Sequence, residues 1–145
     1  MNDIIIKNIT RIVIPFAQAY GIFIILNGHI SPGGGFAGGA IIGTSLILYT
    51  LVFGREKGKK KFSHKMSEIA ESGGIMIFVL IGVIGIIMAG SFLANQSARF
   101  PQGELGNILS GGFIPILMIA IGIKVASTMI SLFNILIDEE KVWKK

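Results

Sequence analysis

The fifteen residues from Asn27 to Ile41, NGHISPGGGFAGGAI, hold six of the chain's twenty glycines and stand between two apolar runs. A phosphate-binding loop would need a preceding strand and the lysine and hydroxyl of a GxxxxGKS/T pattern, and this stretch has no lysine. A flexible linker is also disfavoured, because the glycines continue into the next apolar run. The stretch therefore indicates a tight turn between two helices that pack closely.

Glycines recur every four residues at the start of the second apolar run, at Gly35, Gly39 and Gly43, with a second series one residue earlier. Four-residue spacing places positions on one helix face, and in lipid small residues let helix backbones approach closely. Before the helix, Pro32 fixes one φ angle and Gly33 can adopt a positive one. Packing is the main interpretation, and a turn beside a hydrated cavity is a second hypothesis. The predicted packing motif comprises Pro32, Gly33, Gly34, Gly35, Phe36, Gly38, Gly39 and Gly43.

The composition indicates a membrane protein. The chain is 52% hydrophobic and only 14% charged, whereas a soluble domain is about 25% charged. It has no cysteine, which excludes disulfides, thiol chemistry and cysteine-ligated iron–sulfur clusters. The net charge of +5 does not indicate nucleic-acid binding, because the basic residues lie in short breaks between apolar runs.

Four apolar runs are long enough to span, or nearly span, a bilayer as helices. A strand interpretation fails because the runs are continuously apolar rather than alternating. The sequence therefore predicts an all-α integral membrane protein, with residues 1–145 as a single membrane domain. The predicted spans are residues 12–28, 36–53, 73–94 and 112–137, with a basic loop at 54–68.

The basic residues predict the orientation. Eleven of them fall before the first span, between the second and third, and after the fourth, against only Arg99 on the opposite side. By the positive-inside rule, both termini and the basic loop should be cytoplasmic in the cell membrane. The loop is interpreted as a solvated topology signal, although it could also contact anionic lipid.

The segment GHISPGGGFAGGAI resembles the signature of the B-type subunit (MnhB or MrpB) of Mrp-type multisubunit Na⁺/H⁺ antiporters. Related subunits occur in archaeal membrane-bound hydrogenases, and the resemblance extends to the length and the four spans. It implies a small subunit that is not catalytic alone, has no cofactor of its own and assembles with other membrane subunits that move Na⁺ and H⁺. The residues that carry the resemblance are His29, Pro32, Gly33, Gly34, Gly35, Phe36, Gly38 and Gly39.

Lys124 lies near the middle of the fourth span, where a lysine costs roughly 2.5–3.5 kcal/mol on insertion scales. Polar residues follow it on one side of the helix, so a polar stripe should run toward the cytoplasmic end. Two hypotheses are open: Lys124 lines a hydrated ion path, or it pairs with a carboxylate of a neighbouring subunit and locks the assembly. Both assume that no span of this chain supplies the partner, with Glu68 and Glu71 placed in a solvated first turn. The candidate ion-path residues are Lys124, His29, Ser127, Thr128, Ser131, Asn134 and Asp138.

His29 should lie at the outer end of the first span, where an imidazole could handle protons or simply bond to a turn. A metal site is not expected, because the other histidine, His64, should lie across the membrane. No pairing of carboxylates or of serine with histidine indicates an enzyme. The favoured function is thus a structural and path-lining subunit of a cation/proton antiporter complex. The alternatives are the same subunit in a redox-driven complex and, less favoured, a stand-alone homo-oligomeric transporter.

Overall fold

Helices are the regular elements of the computed structural model, which describes residues 3–30, 32–94 and 111–143. Four of the helices are long enough and apolar enough to cross a membrane, and the fifth is short. Arg99 and Glu104, in the predicted outer loop, fall outside the described residues. In chain order the helices are α1 (Asp3–Leu26), α2 (Gly34–Phe53), α3 (Arg55–Lys61), α4 (His64–Ala89) and α5 (Ile114–Trp143).

The turn before α2 uses glycine where the backbone requires it. Gly33 has φ 127° and Gly34 has φ 61°, values that L side chains rarely adopt. An amide in the first turn of α2 is held by α5, since the Gly35 N–H donates to the Met118 Sδ at 3.1 Å. The glycine-rich start of α2 is therefore fixed against α5.

The prediction of a loop at residues 54–68 is wrong, because most of these residues are helical. Arg55–Lys61 form α3, which packs on the end of α2 through Gly58. A Cβ atom at Gly58 would lie 2.5 Å from Thr50 Oγ1, so the two helices are in close contact. After a short break, α4 begins at His64, where the Ser63 Oγ accepts a hydrogen bond from the Met66 N–H at 3.3 Å.

The prediction of the third span at residues 73–94 is therefore wrong at both ends, because the helix begins and ends earlier in the sequence. Helix α4 starts nine residues before the predicted boundary and ends at Ala89, where Gly90 adopts a left-handed conformation with φ 73°. Two of the polar residues in the first turns of α4, Ser67 and Glu71, have partners on α5. The first and fourth spans are also longer than predicted, since α1 begins at Asp3 and α5 continues to Trp143.

Helix α5 is the centre of the arrangement. It packs against α2 on one side and α4 on the other, while α1 packs mainly on α2. The end of α1 also reaches α5, because a Cβ atom at Gly122 would lie 2.6 Å from Ile25 Cδ1. The four long helices thus form a layer, in the order α1, α2, α5 and α4.

The outer surface of this layer is strongly apolar. Only 22–28% of the most apolar part of each span is buried inside the chain, and large side chains such as Phe16 and Ile87 are 73% and 78% exposed. Such a surface is stable only against lipid or other apolar protein. The prediction of an all-α membrane protein with four spanning helices is confirmed.

Candidate functional site: a polar seam between two membrane helices

The central feature of the site is an ion pair between α4 and α5. Lys124 Nζ lies 3.6 Å from Glu71 Oε1, and both residues are inside membrane-spanning helices. The expectation that no span supplies a carboxylate for Lys124 is therefore wrong. The expected solvated turn around Glu71 is wrong as well, because α4 begins two turns before it and α5 packs against this helix.

Thr128 holds the carboxylate of this pair. Its hydroxyl donates to Glu71 Oε1 at 2.8 Å and also lies 2.9 Å from the carbonyl oxygen of Lys124. The single hydroxyl proton can serve one acceptor at a time, so Thr128 can switch between the carboxylate and its own helix. Lys124 Nζ, at 3.6 Å, attracts the same oxygen mainly by its charge, whereas Thr128 is close enough to donate a hydrogen bond to it.

A second group of polar contacts lies one helical turn away. The Ser67 hydroxyl on α4 donates to the Ser127 carbonyl at 3.0 Å and lies 2.7 Å from the Ser131 hydroxyl. Ser67 and Ser127 are 2% and 1% exposed, so these bonds lie within protein. Together with the ion pair, these contacts make a polar seam, defined here as Ser67, Glu71, Lys124, Ser127, Thr128 and Ser131.

The Ser67 contacts provide a test of the seam. Ser67→Ala removes the hydroxyl that joins α4 to α5 and should lower the stability of the chain by about 0.5–1.5 kcal/mol per hydrogen bond lost. The matched control is Ser72→Ala on the same helix, whose exposed hydroxyl bonds to carbonyls of its own helix. Thermal unfolding of the purified chain in detergent should show a lower midpoint for Ser67→Ala alone. Equal midpoints for the two variants would contradict the proposed importance of the seam.

Beyond the seam, the last two stripe residues lie beside other elements of the chain. Asn134 lines a small crevice with residues of α2 and α3, including Tyr49 and Thr50. Asp138, which is 60% exposed, forms an ion pair with Arg55 at the start of α3. Asn134 and Asp138 thus lie beside α2 and α3, at the end of the predicted stripe.

The glycines of α2 face two different helices. Cβ atoms at Gly39 and Gly43 would lie 2.5 Å from the Gly122 carbonyl oxygen and 3.2 Å from that of Ala126, both on α5. Gly35 is likewise in contact with the Met118 carbonyl. Gly34 and Gly38 have the same four-residue spacing one position earlier, but they contact two different helices. Gly34 contacts Met118 of α5, while Gly38 contacts Gly21 and Ile25 of α1.

The other residues of the motif lie at the edge of this packing. Gly33 is near Ile24, and Pro32 is exposed. Phe36 is 69% exposed, so most of its ring is directed away from the helices that contact α2. The motif therefore combines glycines that permit close helix contact with an outward aromatic side chain.

His29 lies apart from the polar seam. A Cβ atom at Gly111 would lie 3.1 Å from His29 Cγ and Cδ2, so the ring packs beside the chain that leads into α5. Its Nδ1 atom is buried. Lys124 is ten residues beyond the start of α5, or about 15 Å along the helix axis. The structure does not bring His29 and Lys124 together.

The sequence analysis did not assign three residues to this site, namely Ser67, Glu71 and Arg55. Ser67, Glu71 and Gly74 follow one another at intervals of four and three, which places them on one helix face. That signal was available, but the charged residues around it suggested a loop. Among the residues that the structure describes, no cluster of side chains could hold a metal ion.

Comparison with known proteins places this arrangement in a family. Residues 5–131 match the family described as a domain related to the MnhB subunit of the Na⁺/H⁺ antiporter. The chain belongs to this MnhB-related family. The matched range includes most of α1, all of α2 to α4, most of α5 and every residue of the polar seam. The MnhB-related chain is accordingly a multi-pass integral membrane protein.

Similar proteins come from archaea and bacteria. An uncharacterized protein of Methanocaldococcus jannaschii is 39% identical over 86% of this chain and 48% of its own length. In Bacillus subtilis, the B-type subunit of the Na⁺/H⁺ antiporter is 29% identical over 72% of this chain and 73% of its own length. A solved chain of the membrane-bound sulfane sulfur reductase, an archaeal respiratory membrane complex, is 33% identical with a TM-score of 0.69. That alignment covers 87% of the MnhB-related chain and 54% of the solved one. The chain thus spans about half the length of the archaeal relatives that it matches.

Proposed function

We propose that this chain is a non-catalytic membrane subunit of a multisubunit Na⁺/H⁺ antiporter or antiporter-like module. In this proposal it helps to assemble the complex and contributes the polar seam to a path for protons or monovalent cations. The family match supports the class of complex. The observation that carries the proposal is the ion pair of Glu71 and Lys124, which lies within the spans but remains partly open to the outside of the chain.

The exposure of the pair favours a subunit over a stand-alone protein. The side chains of Lys124 and Glu71 are 35% and 32% exposed. Charged atoms in contact with hydrocarbon are unfavourable by several kcal/mol, so in a membrane this exposed part must meet protein or water. Another subunit or a hydrated path beside α4 and α5 would provide either.

The chemistry of the seam suits the transfer of protons or cations. A carboxylate, a lysine amine and a threonine hydroxyl lie within reach of one another, and Thr128 can donate to Glu71 or to its own helix. Because Glu71 belongs to this chain, a carboxylate from a neighbouring subunit is not needed to balance Lys124. This favours the path hypothesis over the locking hypothesis. His29 is left out of the path because it packs beside the chain that enters α5, about 15 Å along the helix axis from Lys124.

A second candidate is the same role in a redox-driven complex. It is favoured by the similarity to a chain of an archaeal respiratory membrane complex. The present sequence has no cysteine with which to hold an iron–sulfur cluster, so redox cofactors of that kind would be ligated by other subunits. Both candidates place the termini and α3 in the cytoplasm, on the strength of the basic residues.

The test of assembly is isolation of the tagged chain, expressed at its native level, in a mild detergent. Native mass spectrometry and peptide identification would follow. The expected result is one large hetero-complex that contains large antiporter-like membrane subunits. Additional redox subunits would favour the second candidate. Recovery of this chain alone, as a discrete homo-oligomer, would contradict both.

A further inference from the structure

By their spacing, Glu71, Ile75 and Phe78 share one face of α4, and Ile121 and Lys124 share one face of α5. A surface cavity of about 160 Å³ lies there between α4 and α5. It is lined by Gly74, Ile75, Phe78, Ile121 and Lys124, and the surface that these residues present to it is almost wholly apolar. All of these belong to two helices, so within the part of the chain that the structure describes this cavity is lined by α4 and α5 alone.

The opposite side of α5 has a different environment. The cavity on that side, of about 180 Å³, is lined by residues of α1, α2, α4 and α5, together with Phe62 beyond α3. Ile121 and Ile123 illustrate the difference, because they are two residues apart and so point in directions about 200° apart around the helix. Ile121 lines the first cavity and Ile123 the second. The open side of the charged pair is thus the side that α1 and α2 do not cover.

From this geometry we infer that a transmembrane helix of a different subunit lies along the open side of α4 and α5. This inference rests on the proposed function and adds the place where the neighbouring subunit packs. The apolar walls fit the side chains of a membrane helix. The ion pair beside this cavity requires a hydrogen-bonding group, because the side chains of Lys124 and Glu71 are still 35% and 32% exposed.

The partner's group opposite the pair should be neutral and polar. Lys124 and Glu71 already balance one another, so an added lysine, arginine, aspartate or glutamate would leave an uncompensated charge within the membrane. A serine, threonine, asparagine or glutamine can donate to Glu71 and accept from Lys124 without adding charge. The inferred occupant is therefore an apolar helix with one such residue at the depth of Lys124.

Site-specific photo-cross-linking in the assembled complex tests this contact. A benzophenone amino acid is placed at Ile121 or at Ile75, two positions on different helices of the same cavity. The matched control is Ile123, on the opposite side of α5. The expected result is an adduct with the same segment of one particular partner subunit from both cavity positions, whereas Ile123, which is 45% exposed on the other side of α5, should not link to that segment. The linked peptide should lie in an apolar segment with Ser, Thr, Asn or Gln within four residues.

A second measurement distinguishes a covering helix from water at the cavity between α4 and α5. The chain has no cysteine, so Ile75→Cys introduces a single thiol into it. In membranes that hold the intact complex, this thiol should not react with a charged, water-soluble methanethiosulfonate reagent. Rapid reaction would show that water covers this side of α4 in place of a helix, so the inference would fail while the proposed ion path would stand.

The remaining outcomes are also decisive. An intact complex with no protein adduct from either cavity position would mean that lipid covers the pair, and the inference would fail while the proposed function stands. An adduct with a second copy of this chain, or with a segment that lacks a neutral polar residue, would also overturn it. Purification of the chain without any other subunit would instead contradict the proposed function itself.

Discussion

Replacing Gly39 with leucine is expected to prevent the chain from folding into its helix layer and so to remove it from the complex. A Cβ atom at this position would lie 2.5 Å from the Gly122 carbonyl oxygen and 2.9 Å from Gly122 Cα. These are backbone atoms of α5, which cannot turn aside as a flexible side chain would. Overpacking of a tight core typically costs about 1–3 kcal/mol, and a four-carbon side chain against backbone should reach or exceed the upper end.

The control for this substitution is Gly73→Leu in α4. No atom lies within 4 Å of a Cβ at Gly73, so among the described residues leucine meets open space there. Leucine also has a higher helix propensity than glycine, so stability should be unchanged or slightly raised. Fluorescence-detected size-exclusion chromatography after a temperature series would compare the two variants. Normal folding and normal incorporation of Gly39→Leu would show that α2 and α5 do not pack as described.

Neutralising one member of the ion pair is expected to be more harmful to assembly than neutralising both. Glu71→Gln leaves Lys124 uncompensated within the span, at a cost of roughly 2.5–3.5 kcal/mol on insertion scales. Lys124→Met leaves the carboxylate uncompensated in the same way. The double variant has no charge at the site, so its yield of assembled complex should approach that of the wild type. Ion exchange should be lost in all three variants if the pair lies on the path.

The double-mutant cycle gives this prediction its control. Coupling between the two positions appears as a double variant that is less damaged than the sum of the singles. Lys65→Met, which removes an exposed charge from the same helix, should leave both assembly and transport unchanged. Additive losses in the double variant would mean that Glu71 and Lys124 do not interact. Full ion exchange in an assembled double variant would exclude the pair from the path.

The architecture followed from the sequence where hydrophobicity alone decides it. Long runs such as residues 112–137 bury apolar surface in lipid whatever their neighbours are, so the helices and the membrane class could be predicted. The start of α4 could not, because Lys65, Glu68 and Glu71 are individually unfavourable in a membrane. Ser67 and Glu71 are tolerated because α5 supplies hydroxyl, carbonyl and amine partners, and that pairing exists only in the folded chain.

For the glycine motif too, the sequence predicts the close packing but not the helices that take part in it. Spacing alone predicted close packing, but it did not reveal that α2 lies between two helices. Gly39 contacts Gly122 of α5, while its neighbour Gly38 contacts Gly21 of α1. Gly38 and Gly39 are consecutive residues, so they lie on different faces of α2. The glycine spacing predicts that both faces pack closely, but which helix each face contacts depends on the tertiary structure. Lys124 could be singled out because of its charge, but its partner could not.

The most direct test of the central claim is Na⁺-dependent proton exchange in everted membrane vesicles. Vesicles would be prepared from cells that lack this chain, with and without restoration of the wild-type gene or of the Gly39→Leu variant. The imposed pH gradient would be followed by a fluorescent dye after addition of Na⁺. We expect exchange with the wild-type chain, and its loss without the chain or with Gly39→Leu. Undiminished exchange in vesicles that lack the chain would contradict its proposed role in moving Na⁺ and H⁺.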